Sequence, residues 1–174
     1  MEPMNSSEPQ ILFSELEIAE RVDEMAREIA AIKPQIAIPI LIGGFVFASD
    51  LVRALSRHGV GVEVEFLWLR SYGNERAGGA VSLLAGPSEN VSGKRALLID
   101  GVLDVGRTIL RAQQLLVAAG ATEVRTAVIV DKSRTDAIVS ADFAGFSGMS
   151  DFIVGYGMDD GGKHRGLPYI ARAL

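Results

Sequence analysis

The stretch from Leu97 to Ile109, Leu-Leu-Ile-Asp-Gly-Val-Leu-Asp-Val-Gly-Arg-Thr-Ile, constrains this chain more than any other. The apolar run Ala96 to Ile99 predicts a short buried strand ending on Asp100. Asp104 stands four residues on, Gly106 and Thr108 follow, and Ile109, Leu110, Leu115 and Leu116 recur at helical spacing. A strand, an acidic turn and a helix start form a layout that binds phosphate. The first N–H groups of a helix have no intrahelical acceptor, and the dipole there favours an anion. Gly106 allows close backbone approach and Thr108 adds a hydroxyl donor. Acids beside such a site make sense where sugar hydroxyls or a Mg²⁺ ion must also be held. The same string also fits a βα turn of any Rossmann-like domain, with Asp104 as the helix N-cap.

The rest of the chain alternates strand and helix patterns. Ser14 to Ala31 reads as a helix with a Ser14/Glu17 capping box. Ile36 to Ile42 reads as a buried strand whose Pro39 marks a bulge or the point where pairing begins. Phe45 to His58 is a second helix, closed by Gly59 to Gly61. Val62 to Leu69 alternates like a strand, Arg70 to Gly79 reads as a loop, and Ala80 to Ala85 as a further strand. A helix from Arg107 to Ala119 and a strand from Glu123 to Val130 complete a β-α-β unit, and Phe152 to Tyr156 is a last short strand. This alternation predicts an α/β fold: a central, mainly parallel sheet with helices on both faces. Ligands of such sheets sit beyond the carboxyl ends of the strands, which would gather Gly43, Asp100 to Thr108 and Lys132 at one rim.

With 174 residues, 48% of them hydrophobic, the chain can bury one sizeable core. Residues 1–10 read as a flexible N-terminal tail without signal-peptide features, and residues 11–174 as a single domain. The absence of cysteine excludes thiolate chemistry and leaves a cytoplasmic location as the expectation. A net charge of −5 without a basic run disfavours nucleic acid, and no apolar run is long enough to cross a membrane. His58 and His164 have no partner at metal-ligand spacing. The helix from Phe45 carries apolar residues on more than one face, which suggests a homo-oligomer.

Residues 97–109 resemble the phosphoribosyl pyrophosphate (PRPP) signature of type I phosphoribosyltransferases. Further stretches, in the same order, resemble the hypoxanthine-guanine branch of that family. They are Leu12 to Ile18 (its opening helix), Leu41 to Leu51 (its pyrophosphate loop), Arg70 to Gly73 (the start of its mobile loop) and Val130-Asp131-Lys132. Asp151 to Asp159, Arg165 and Leu167 to Ile170 resemble its closing segment. Together these cover nearly the whole chain. The resemblance implies a type I fold with a small hood built from the terminal segments, and a 6-oxopurine phosphoribosyltransferase. Such an enzyme joins PRPP and hypoxanthine or guanine into a nucleotide and pyrophosphate, as a dimer or tetramer using Mg²⁺.

Residue by residue, the resemblance makes Asp104 the catalytic group facing the purine's N7 side. Asp100, Asp104, Val105, Gly106, Arg107 and Thr108 would hold the ribose and 5′-phosphate, and Gly43 and Arg165 the pyrophosphate. Lys132, Phe152, Ile153 and Asp159 would hold the purine: Lys132 at its O6, Phe152 by stacking, the Ile153 backbone at its edge. Asp100 and Asp159 would hold metal, and Ser71 and Tyr72 would close over the reacting centre. Taken singly, each has an ordinary structural alternative: a solvated Lys132, a core Phe152, a turn at Asp159, a surface Arg165.

Three positions depart from the family pattern: Gly101 stands at the second acid, Val105 at a hydroxyl, and Ile42 at a lysine. Each lost hydrogen bond to a charged group costs about 1.5–3 kcal/mol. About 1.4 kcal/mol is tenfold in rate, so the three together predict lowered turnover. The alternative is a degenerate member that binds a purine nucleotide or phosphate ligand with little or no catalysis.

Overall fold

The computed structural model describes residues 9–71 and 81–173. One seven-stranded sheet is built from β2 (Ile36–Leu41), β3 (Glu63–Val64), β4 (Leu67–Ser71), β5 (Val81–Ala85), β6 (Arg95–Leu103), β7 (Glu123–Asp131) and β8 (Phe143–Ser147). Its order is β5-β4-β2-β6-β7-β8, with β3 also paired to β2. Every pairing is parallel except that of β4 with β5. Helices α1 (Glu15–Ala30) and α2 (Phe45–Arg57) cover one face, and α3 (Arg107–Ala118) covers the other.

The period-2 alternation of a strand explains this division. On β6, Leu97 and Ile99 point into the core under α1 and α2, whereas Ala96 and Leu98 point into the core under α3. Ser14 opens α1 with the expected capping box: its Oγ accepts from Glu17 N at 3.3 Å, and Glu17 Oε2 accepts from Ser14 N at 2.8 Å. Pro39 sits where β2 changes partner on one edge. β3 pairs with Ile36 and Ala37, and β4 pairs from Ile40 onward. A residue without an N–H falls in the gap between them.

A second, three-stranded antiparallel sheet joins the two ends of the chain. It runs β1 (Ile11–Phe13), β10 (Ile170–Arg172), β9 (Ile153–Val154). This is the hood expected from the terminal segments. Phe13 stacks on Phe146 of β8 at 3.8 Å between ring centroids, and so seats the hood on the main sheet.

The structure corrects several sequence-based expectations. β6 does not end on Asp100 but continues to Leu103, because Asp100, Val102 and Leu103 still pair with β7. The segment Val62 to Leu69 is two strands, not one, and Arg70 and Ser71 belong to β4. Phe152 to Tyr156 narrows to β9 and is not the last strand, since β10 follows. β1 precedes α1 within the stretch likened to an opening helix, and β8 was unforeseen. Tyr72 and most of the expected loop lie outside the described residues, as do residues 1–8 of the expected tail. The Gln10 carbonyl at the end of that tail accepts from Arg172 N at 2.9 Å.

Candidate active site

The turns that follow β2, β6 and β7 meet the hood around a cavity of about 480 Å³. Of the residues singled out in the sequence, Gly43, Asp100 and Asp104 line it from the ends of β2 and β6, and Thr108 from the first turn of the helix that follows β6. Lys132 lines it from the end of β7, and Phe152, Ile153, Asp159 and Arg165 from the hood. Val105 and Gly106 belong to the adjoining turn and Arg107 opens α3, all three outside the lining, with Arg107 exposed.

Chain geometry sets these positions. α3 begins at Arg107, and its N-cap is Gly106 rather than Asp104. Gly106 has φ +91°, and a Cβ there would run into Val139 Cγ2 and Leu103 Cδ1. Only glycine fits that left-handed, closely packed position. Because Asp104 is not spent as a cap, its carboxylate is available to the cavity wall. Oδ2 lies 3.2 Å from Lys132 Nζ, and Oδ1 lies 3.2 Å from Arg134 Nη1. The Lys132 and Asp104 side chains are only 13% and 21% exposed, so the pair is partly shielded from water. Arg134 forks onto Asp136 at 2.7 and 2.8 Å. These hydrogen bonds to Asp136, with the charge of Asp104, hold the Arg134 guanidinium above its ordinary pKa.

Across the cavity, Arg165 Nη2 lies 2.7 Å from Asp159 Oδ1, and Arg165 Nη1 donates to the Gly157 carbonyl at 2.7 Å. Asp159 Oδ2 accepts from Gly162 N at 2.7 Å. Asp100 Oδ1 accepts from Gly101 N at 2.7 Å and backs the Gly43 turn. The Phe152 side chain is 58% exposed although its carbonyl is fixed by Ala173 N at 2.8 Å. An aromatic face held open to solvent at a cavity mouth suits stacking better than core packing. Behind this wall, Tyr156 donates to Asp50 Oδ2 at 2.7 Å, and burial with that bond pushes its phenol pKa up.

The site thus has two ends. One carries an acid with a lysine, the other an arginine with an acid, and a third acid and a backbone turn lie between. Sequence reasoning missed Arg134, Leu69, Val102 and Met158, the last three of which line the cavity. Arg134 follows Lys132 by two residues, but a charge in a turn carries no signal until its partner Asp104, just past the end of β6, is seen.

Residues 10–160 match the phosphoribosyl transferase domain family. The chain belongs to that family. It is 34% identical to the hypoxanthine-guanine phosphoribosyltransferase of Aquifex aeolicus, over 98% of this chain and 97% of that protein. The hypoxanthine phosphoribosyltransferase of Trypanosoma cruzi, solved in complex with the product IMP, superposes with a TM-score of 0.86 at 28% identity. That match covers 99% of this chain and 98% of that one. A hypoxanthine-guanine phosphoribosyltransferase of Bacillus anthracis gives a TM-score of 0.87 at 31% identity, over 96% and 100% of the two chains. The fold expected from the resemblance is therefore the fold found, and the comparisons favour an enzyme over a degenerate binding protein.

Proposed function

We propose that this protein is a 6-oxopurine phosphoribosyltransferase that moves the 5-phosphoribosyl group of PRPP onto hypoxanthine or guanine in purine salvage. The observation that carries the reading is the Asp104–Lys132 pair, partly buried at one end of a cavity whose other end holds Arg165. Lys132 is a donor only and suits a 6-oxo group. Asp104 beside it suits the proton at N7. Phe152 covers the base, and the Ile153 backbone reads its edge.

Asp100 holds the ribose hydroxyls. The turn Val105 to Thr108 at the start of α3 cradles the 5′-phosphate with backbone N–H groups. Gly43 and Arg165 take the pyrophosphate. Departure of pyrophosphate builds positive charge on the ribose ring and negative charge on the leaving group. Asp100 and Asp104 favour the first, and Arg165 and the backbone donors favour the second. The role we propose for Ser71, which ends β4, and for Tyr72, which lies outside the described residues, is to exclude water from the reacting centre.

The donor set fits magnesium carried in by the substrate. Asp100 and Asp159 line one cavity, and Mg²⁺ commonly keeps several waters and takes one or two carboxylates plus substrate phosphates. When bound, the ion neutralises the leaving pyrophosphate.

We further propose a single domain over residues 11–174, a cytoplasmic location and a homo-oligomer, dimer or tetramer. No helix among the described residues is long and apolar enough to cross a membrane. Most apolar residues of α2 are used in the core, with Phe47, Ala48, Leu51 and Leu55 buried and Phe45 exposed. The exposed apolar side chains that favour association are instead Phe66, Trp68, Leu83 and Leu84 around β4 and β5. The deciding experiment incubates the protein with PRPP, Mg²⁺ and each of hypoxanthine, guanine, xanthine and adenine, and measures nucleotide. Formation of IMP or GMP supports the reading; no nucleotide from any base rejects it.

A further inference from the structure

Arg134 lies outside every stretch that carries the family resemblance, yet it makes the second ion pair of Asp104. We propose that Arg134 is the positioning residue of the Asp104 carboxylate. It holds Oδ1, so that Lys132 can leave Oδ2 for the purine and Oδ2 becomes the oxygen that takes the N7 proton. The inference rests on the transfer activity proposed above.

The turn after β7 straps the Asp104 segment from both sides. Lys132 N donates to the Leu103 carbonyl at 3.0 Å, and Ile138 N donates to the Val105 carbonyl at 2.9 Å. Asp104 is the residue between those two anchors, so its backbone is fixed to the strap that carries both cations. The guanidinium of Arg134 is oriented in turn. Nε and Nη2 fork onto the two oxygens of Asp136, which leaves Nη1 as the nitrogen nearest Asp104 Oδ1, an ion pair at 3.2 Å without hydrogen-bond alignment. A planar fork held on one carboxylate keeps its positive charge in place beside the next.

Each oxygen of Asp104 therefore has its own cation, and the two cations differ in what they do next. Lys132 has a flexible stem and must turn to the base's O6. Arg134 is tied to Asp136 and stays. As N9 of the base bonds to C1 of the sugar, the C1–oxygen bond breaks and its electron pair leaves with pyrophosphate. The N7 proton passes to Asp104 Oδ2, and Oδ1 remains on Arg134. Without Arg134, both oxygens compete for Lys132, and the carboxylate is free to rotate while the lysine is withheld from the base.

The test compares Arg134→Ala, Arg134→Lys, Asp136→Asn and Asp104→Ala with the unaltered protein, using hypoxanthine, PRPP and Mg²⁺. Arg134→Ala should lower kcat by about tenfold to a hundredfold, up to the lower end of the roughly 10²–10⁴-fold that general-base catalysis supplies. The KM for PRPP and the Tm should hold. Arg134→Lys, and millimolar guanidinium ion added to Arg134→Ala, should each restore part of kcat. Guanidinium should restore nothing to Asp104→Ala, and Asp136→Asn should fall between wild type and Arg134→Ala. Wild-type kcat in Arg134→Ala beside an inactive Asp104→Ala overturns this inference and leaves the transfer activity standing. A loss in Arg134→Ala that neither lysine nor guanidinium relieves makes the residue merely structural and also overturns it. A wild type that transfers to no base overturns both.

Discussion

Two glycines approach one atom, the carbonyl oxygen of Gly43, and alanine at each should behave differently. A Cβ on Gly157 would stand 2.6 Å from that oxygen, and Gly157 has φ +98°. The left-handed conformation costs an L-residue about 1–2 kcal/mol. Pressing a methyl onto fixed backbone adds about 1–3 kcal/mol. Gly157→Ala should therefore destabilise by about 2–5 kcal/mol, a fall in Tm of about 4–20 °C for a chain of this size. A Cβ on Gly101 would stand 3.0 Å from the same oxygen, but Gly101 lies in β6 outside the left-handed region. There alanine gains about 0.5–1 kcal/mol by restricting the unfolded chain, which offsets a displacement of a few tenths of an ångström. Gly101→Ala should stay within about 1 kcal/mol of wild type, or about 4 °C. Its effect should fall on the Gly43 turn and appear as a raised KM for PRPP. Urea unfolding followed by circular dichroism, with KM measured in parallel, checks both. Equal destabilisation by the two variants, or a larger one from Gly101→Ala, would refute the account of this turn.

Ile42→Lys should lower the KM for PRPP by about tenfold, since a hydrogen bond to a charged group is worth about 1.5–3 kcal/mol and Ile42 is 45% exposed, so no core contact is lost; an unchanged KM with an unchanged Tm counts against a pyrophosphate subsite at the Gly43 turn. Lys132→Ala should reduce the preference for GMP over AMP by about ten- to a hundredfold by the same magnitude, read by calorimetry, and an unaltered ratio sinks the role of Lys132 at O6. Tyr156→Phe should cost about 1–2 kcal/mol through the lost bond to Asp50. Because burial raises the Tyr156 pKa above its unfolded value, its contribution is intact below about pH 10 and lost as pH rises beyond it. The Tm difference between wild type and Tyr156→Phe should therefore be flat from neutral pH to about 9 and shrink above 10.

Much of this architecture was legible in the sequence because single segments carry it. The capping box of α1, the span of α2 and the β-α-β unit through α3 all rest on local periodicity and local hydrogen bonds. What escaped depends on pairing between distant segments. β6 runs past Asp100 because β7 continues to supply partners through Val102 and Leu103, which no local pattern encodes. β1 and β10 are three residues each and exist as strands through each other and β9. The same distinction holds in the site. Gly43, Asp104 and Lys132 stood out as residues at strand ends before the resemblance gave them roles, and Arg165 entered through the resemblance. Arg134 was missed because its meaning lies in a contact across the turn, 30 residues from Asp104 in sequence and 3.2 Å from it in space.

The departures from the family pattern acquire a physical order in this structure. Ile42 and Gly101 look scattered in the chain, but they flank one turn: Ile42 precedes Gly43, and Gly101 packs against its carbonyl. Val105 lies on another turn, where its carbonyl anchors Ile138 and so helps hold the strap over Asp104. On the proposed function the first two alter the surroundings of the leaving group, and the third leaves intact a backbone carbonyl that any residue could supply. On the proposed function, and with no lysine at 42, Arg165 is the cation that would meet pyrophosphate among the described residues of the cavity, and it is tied to Asp159 at 2.7 Å. Binding of pyrophosphate there must compete with that pair, whereas the purine end keeps Lys132 and Asp104 as found. On the proposed function, the chain's sequence changes should therefore bear on how firmly PRPP is held more than on which base is read.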